Sequence, residues 1–528
     1  MKITAPHLLG IALISALVSA ASITSHSLWV DELGTWTISQ VPNWATWAKK
    51  LWNHFNSDGQ LPAYHAYIKL WVDLLGDQAT HLRASNVPWL FLALWGLLRL
   101  PAKSQRRIWL SIFFFCINSF TWYYINELRP YIILQTGSVW FLVGAWRLAT
   151  SSPDDRNTVD TATKEVLLGI VIMIAGNILG AFWIASTLFA FLILLPSTLL
   201  AAIKSLIRNW VFTLAIAIAL AAMLTVALHS FAAGARASQL AAFSIAGFGY
   251  GLIELTGASG LGPSRHQLRS DLASVSWSQL LTMVLLAALV ALTVLESWLA
   301  IPSRRLKTLL LVAAASPLLI MIALGVLLHW RVVGRHLSVI FPFVAIALAF
   351  FAEKSLFSST SILRRASIIL IILGLSCSSL TTRMAERHRK DDYKQAAIWV
   401  KHALESGESV LWVAAPEGLA YYKIAKSQND IASIPLLYTY GDFQQRMPSG
   451  DWPIHIVKSY REGIDPSGLT NSFLASGKYE SVGKATTFEH FRIRRLCCTN
   501  RVSDGMTPTP GGPMPQQPPA RFWDGRSG

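Results

Sequence analysis

Charge is scarce in this chain. Asp, Glu, Lys and Arg make up 14% of its 528 residues, whereas a soluble domain averages about 25%. That shortage excludes a large soluble enzyme. Cysteine is scarce too. Four residues are too few for a disulfide framework. Cys116 and Cys377 fall inside apolar stretches and pack there as small hydrophobes. Cys497 and Cys498 are adjacent and lack metal-site spacing. No Walker A loop or Rossmann glycine fingerprint is present, so a nucleotide-type donor has no support. No G-x-S-x-G elbow or H-E-x-x-H motif appears either, which leaves serine-hydrolase and zinc-protease chemistry without a carrier. No solenoid-type repeat is visible.

What the chain has in abundance is apolar sequence. Hydrophobic residues reach 53%, with 21 Trp, a residue that gathers at membrane–water interfaces. Long apolar runs predict about eleven membrane spans of roughly 20 residues each: 5–23, 83–100, 108–125, 131–149, 165–182, 184–202, 210–228, 278–299, 308–328, 337–352 and 366–382. Val18-Ser19-Ala20 resembles a signal-peptide cleavage site, but the first run is long enough to span.

The formal net charge of +16 sits largely in short loops, as the positive-inside rule requires, and this argues against a nucleic-acid partner. Lys103, Arg106 and Arg107, then Arg304, Arg305 and Lys307, mark inner loops. The N-terminus is then cytoplasmic, and an odd number of spans places the C-terminal region outside.

The expected organisation is a transmembrane domain over 1–382, an extracytoplasmic α/β domain over 383–496 and a Pro/Gly-rich, disordered tail over 497–528. Two outer segments are long. Residues 24–82 are Trp- and Tyr-rich, with amphipathic stretches suited to helices lying in the interface. Residues 229–277 are rich in Gly and Ser, and either order over a donor as a lid or form a surface loop. In the C-terminal region, 410–413 and 454–457 read as strands and 394–404 as a helix.

Four polar groups map to the outer side: Asp31-Glu32; Asn126-Glu127-Leu128-Arg129-Pro130-Tyr131; Arg331 through His336; and Asp58-Gly59-Gln60-Leu61-Pro62-Ala63-Tyr64. Charges at membrane depth are costly and face a cavity or a partner. The acids suit activation of a nucleophile, and the guanidiniums suit an anion such as a lipid-linked phosphate.

With these residues the chain resembles a GT-C fold membrane glycosyltransferase, of the bacterial kind related to protein O-mannosyltransferases and aminoarabinose transferases (glycosyltransferase family 39). The resembling pieces are Trp29-Val30-Asp31-Glu32, Leu61 to Trp71, Leu82-Arg83-Ala84-Ser85, Glu127 to Tyr131, Gly334-Arg335-His336-Leu337 and Asp392 to Ala397. They occur in the family's order. Where the family shows His-Pro-Pro, this chain has Gly59-Gln60-Leu61-Pro62, which puts the role of the Asp58 region in question.

The resemblance implies a mainly α, polytopic GT-C fold in a bacterial cytoplasmic membrane. It also implies inverting transfer from a polyprenyl-phosphate sugar to a glycan, lipid or protein acceptor. Asp31 is the expected base; its plainer role is a helix cap. Glu32 orients the acceptor, supports a divalent cation or forms a salt bridge. Arg129, Arg335 and His336 are assigned to the donor phosphate. The alternatives are an Arg129–Glu127 ion pair and interfacial snorkelling. Asp58, Tyr64, Glu127 and Tyr131 complete the donor site. No residue is assigned as a metal ligand, and no organic cofactor is called for. A transporter or flippase of a lipid-linked saccharide is the alternative function.

Overall fold

In the computed structural model, the structure describes residues 3–53, 62–102, 104–152, 154–177, 196–208, 243–265, 267–270, 275–327, 332–358, 361–390, 392–425, 433–439, 454–459, 479–488 and 491–498, together with single positions between 210 and 229. The chain divides into two compact units, Met1–Lys394 and Gln395–Gly528.

The first unit is helical. Among the described residues, six helices are long and apolar enough to cross a membrane: Ala5–Ser22 (α1), Tyr131–Thr150, Trp277–Leu299, Arg304–Leu327, Gly334–Phe357 and Ile362–Met384. A bent pair, Gln105–Ile117 and Ser119–Ile125, can supply a seventh. The protein is therefore a multi-pass membrane protein. The expected runs at 184–202 and 210–228 fall largely outside the described residues.

Two other expected spans have different boundaries, each for a local reason. The run at 83–100 splits into Ala79–Ala84 and Val87–Leu98. Pro88 starts the second helix, and the Asn86 side chain donates to the carbonyls of Ile125 (3.2 Å) and Glu127 (2.6 Å). The run at 165–182 starts early, at Arg156, where the Asp155 side chain accepts from the Thr158 N–H.

Ahead of these lie short helices in the first long loop: Val30–Ser39 (α2), Trp44–Asn53 (α3) and Pro62–Leu75 (α4). After them come Ala79–Ala84 (α5), Val87–Leu98 (α6), Gln105–Ile117 (α7), Ser119–Ile125 (α8), Tyr131–Thr150 (α9) and Arg156–Gly176 (α10).

The bend between α7 and α8 is 60° and falls at Asn118, whose backbone is extended and whose side chain accepts from the Phe120 N–H at 2.8 Å. The break is held from outside, because Ser119 donates to the Gly257 carbonyl at 2.8 Å.

The helix α9 is buried on nearly all sides, in contrast to α1, whose Leu9, Leu13 and Leu17 form an exposed stripe of the kind that faces lipid. Small residues bring α9 and α10 together. A Cβ on Gly144 would lie 2.7 Å from the Ala162 carbonyl oxygen, which is backbone-to-backbone packing that only glycine allows.

The second unit carries a five-stranded mixed sheet in the order β2-β1-β3-β5-β4. Its strands are Ser409–Val413 (β1), Leu437–Thr439 (β2), Ile454–Ser459 (β3), Tyr479–Phe488 (β4) and Phe491–Cys498 (β5). The strand β1 is parallel to β2 and β3, and the β4–β5 hairpin adds antiparallel to β3. All of β1 is buried, as expected for a central parallel strand. A helix, Tyr393–Glu405, buries Ala396, Ala397, Val400 and Ala403 at helical spacing. The sequence reading had β1, β3 and this helix but not the hairpin. Its β5 runs through Cys497 and Cys498, past the expected domain end at 496.

Candidate functional site

The site is organised around the first turn of α2. Acidic residues favour a helix N-terminus, where the backbone N–H groups and the dipole are positive. Glu32 supplies the local bond, accepting from the Trp29 N–H at 3.3 Å. The capping role considered for Asp31 thus falls to its neighbour.

Glu32 has no exposed surface and Arg83 only 1%. The Arg83 Nε and Nη2 donate to the two Glu32 oxygens at 3.0 and 2.8 Å. The same guanidinium donates to the carbonyls of Thr24 (2.9 Å), His26 (3.0 Å) and Ser27 (3.0 Å). Glu32 also accepts from the Leu128 N–H at 2.8 Å. One buried pair therefore pins α2, the segment before it and the 126–130 hairpin together. Burial alone would raise the Glu32 carboxyl. The charges of Arg83 and Lys390 and the bonds from Arg83 and Leu128 hold it below the usual carboxylate range.

Asp31, one residue earlier, points elsewhere and stays partly exposed. Its Oδ2 accepts from the Arg335 Nη1 at 3.0 Å, and the Arg129 Nη2 lies 4.0 Å away. Arg129 is buried on the hairpin before α9. Arg335 comes from the 3-10 turn Gly334–Ile340 and stands 5.9 Å over the ring of Tyr131. Three segments far apart in sequence thus place one carboxylate against two guanidiniums. The ion pair considered between Arg129 and Glu127 is not what the structure shows. The Glu127 Oε1 is 3.3 Å from the Lys390 Nζ, and Arg129 turns to Asp31.

The other expected site residues are placed as follows. Tyr64, on α4, is buried, with its hydroxyl unpartnered among the described residues. Its neighbour His65 is driven down to about 3 by burial and then by the charge of Arg129. His336 is buried, and its Nδ1 accepts from the Val333 N–H at 3.4 Å, so the ring caps the turn that carries Arg335. Asp58 lies outside the described residues, as does Arg331. Among the described residues no group of three or more His, Cys, Asp or Glu side chains gathers as metal ligands would.

Sequence reasoning missed three supporting cations. Arg83 was noted within a resembling motif without a role. Lys390 closes on Glu127 and stands over the rings of Trp29 (5.5 Å) and Tyr123 (5.1 Å). Arg265, in the second long loop, pairs with Glu254 at 2.5 Å and donates to the Tyr124 hydroxyl at 3.0 Å. The Glu254 carboxylate lies where a Cβ on Gly334 would sit, so this loop abuts the backbone that presents Arg335. The signal for Lys390 was present in the basic run 387–390 after the last span.

No protein-family profile matches the chain, and no curated protein does. Solved structures do match. The ArnT crystal structure from Cupriavidus metallidurans bound to undecaprenyl phosphate superposes with a TM-score of 0.51 at 10% identity, covering 93% of this chain and 98% of that one. The apo ArnT structure from the same organism gives a TM-score of 0.48 at 8% identity, covering 92% and 97%. The arabinofuranosyltransferase AftD from Mycobacteria gives 0.43 at 14% identity, covering 94% of this chain and 40% of that one. The first of these likenesses shows the fold: the chain has the GT-C architecture of that ArnT structure.

Proposed function

We propose that the protein is an integral membrane glycosyltransferase that moves a sugar from a polyprenyl-phosphate donor to an acceptor hydroxyl with inversion. The observation that carries this reading is the Asp31 carboxylate set 3.0 Å from Arg335 and 4.0 Å from Arg129. It sits on a fold shared with a protein whose structure was solved bound to undecaprenyl phosphate.

A polyprenyl phosphate is already a fair leaving group, so two tasks remain. Asp31 takes the proton of the acceptor hydroxyl as its oxygen attacks the anomeric carbon. The anomeric carbon–phosphate oxygen bond breaks, and Arg129 and Arg335 hold the charge that builds on the departing phosphate. An arriving phosphate competes for the guanidiniums that Asp31 engages, which would free the carboxylate to act as base. A single displacement inverts the sugar centre, whereas retention would need a second carboxylate as nucleophile. Glu32 is unsuited to that task because Arg83 holds it in the interior, and we assign it a positioning role. The polar cluster lies on the side that the Lys/Arg bias makes extracytoplasmic, and the acceptor comes from there.

The test is transfer of radiolabelled sugar from polyprenyl-phosphate donors in membranes, wild type against Asp31→Asn at matched expression. Activity in the wild type that vanishes in the variant supports the reading. Equal activity in both removes Asp31 as base.

A further inference from the structure

One cavity is not used by this mechanism. It is a cleft open to solvent, and it lies where the end of α1 (Ser22), the segment Thr24–Ser27, α8 (Trp122, Tyr123) and the end of the last span (Thr382, Arg383) converge. Arg83, Arg383, Arg389 and Lys390 line it, with His26 and His388; among the described residues no carboxylate does. Ser22, Thr24, Ser27, Thr382 and Asn126 complete the wall. Asp31, Arg129 and Arg335 are not among the lining residues.

The charges behind the wall are partly balanced. Glu32 holds Arg83 and Glu127 holds Lys390. Arg389 is 3.9 Å from Glu386, which is exposed. Arg383 donates to the Ala21 carbonyl at 3.2 Å, a neutral partner. The resulting field is positive. His26 is lowered to about 4, first by burial and then by Arg383, Arg389, Arg83 and Lys390 in turn.

We propose that this cleft is a phosphate-binding subsite separate from the donor site, and that its natural occupant is the headgroup of an anionic phospholipid. Guanidiniums are the donors that recognise a phosphodiester. A wall carrying four cations favours an anion, in the way that basic pockets at helix ends take lipid headgroups. Its position favours a lipid over a soluble ion. Leu17 on α1, and Leu373 and Leu380 on the last span, are exposed within three turns of the cleft on two helices that line it. Acyl chains hanging from a bound headgroup would run along them. Trp122 and Tyr123 supply interfacial aromatics.

The test uses the full-length protein in neutral detergent, titrated separately with phosphatidylglycerol, phosphatidylcholine and inorganic phosphate. Thermal midpoint and native mass spectrometry are the readouts. Phosphatidylglycerol is expected to raise the midpoint and remain bound, with phosphatidylcholine weaker by tenfold or more. The double variant Arg383→Gln/Arg389→Gln should bind phosphatidylglycerol at least tenfold more weakly. Arg383→Lys/Arg389→Lys, which keeps the charge, should retain most of the binding and guards against misfolding of the first variant. Equal protection by inorganic phosphate, lost in the glutamine variant, supports the subsite and makes free phosphate its occupant. No preference for phosphate-bearing anionic ligands, or equal binding by wild type and glutamine variant, overturns the proposal. Asp31→Asn should bind phosphatidylglycerol like wild type whatever its transfer activity. Loss of binding there would make the two sites one and overturn the separation.

Discussion

Replacing Glu32 by Gln tests whether the buried acid organises the site or works in it. The substitution keeps the shape and removes the charge. Arg83, 1% exposed, then faces an amide instead of a carboxylate, and one of its two short bonds becomes a donor against a donor. Removing one partner of a buried ion pair costs about 3–5 kcal/mol, because the other charge is left uncompensated. Part of that is recovered here, since Arg83 keeps the carbonyls of Thr24, His26 and Ser27. The amide oxygen can still accept from Leu128 or Trp29, each bond worth about 1 kcal/mol. The expected net loss is about 2–4 kcal/mol.

The pH dependence has a definite sign. The Glu32 carboxyl is held below its ordinary range in the folded protein, so the unfolded chain takes up its proton first on acidification. The stabilisation is fully present at neutral pH. It drains as pH falls through the ordinary carboxylate range towards the folded-state value, and the glutamine variant should lack that acid-side decline. The assay is thermal unfolding of purified full-length protein from pH 7 down to pH 4, beside sugar transfer measured well below the midpoint. A clearly lowered midpoint at pH 7, with the gap to wild type closing on acidification, is the expected result. A wild-type midpoint with abolished transfer would refute the positioning role and return Glu32 to the chemistry. A wild-type midpoint with wild-type transfer would refute the organising role altogether.

Three further substitutions have expected outcomes. Gly334→Ala puts a methyl group where the Glu254 carboxylate sits; transfer should fall tenfold or more while the thermal midpoint moves little, and unchanged kinetics would show that Glu254 does not fix the Arg335 turn. Arg335→Lys keeps the charge but loses the planar fork, so the KM for the donor should rise about tenfold, equivalent to about 1.4 kcal/mol, with a smaller change in kcat; a change in kcat alone would argue against phosphate binding. Gly144→Val forces α9 from α10, since a Cβ there already meets the backbone of Ala162 and Val166 at 2.7 Å; a loss of about 1–3 kcal/mol should appear as lower yield and midpoint, and an unchanged midpoint would contradict the close packing.

The candidate site was legible to different depths. The acidic pair and both arginines stood out because charge is rare beside apolar runs, and the cost of burying it makes each exception informative. Their partners did not stand out. Asp31 meets Arg335 from 304 positions away, and Glu32 meets Arg83 from 51. The local alternatives considered for Arg129 and Asp31 were reasonable from spacing, and both are displaced by contacts that spacing cannot reveal. The roles of Lys390 and Arg265 depend wholly on such contacts.

Apolar content determined by itself that this is a multi-pass membrane protein with charged residues near helix ends, because transfer into lipid depends on composition summed over about 20 residues. The tertiary structure decided which helices keep apolar faces exposed and which are enclosed by protein, so that α9 is buried although its sequence reads as an ordinary span. It also decided where the run at 83–100 breaks, and which carboxylate is locked in the interior and which stays partly exposed beside Arg335 and Arg129. Asp31 and Glu32 are adjacent in the same helical turn and chemically near-equivalent. Successive residues on a helix point about 100° apart, and the surroundings on those two sides, Arg83 on one and Arg129 with Arg335 on the other, are assembled only when the chain folds.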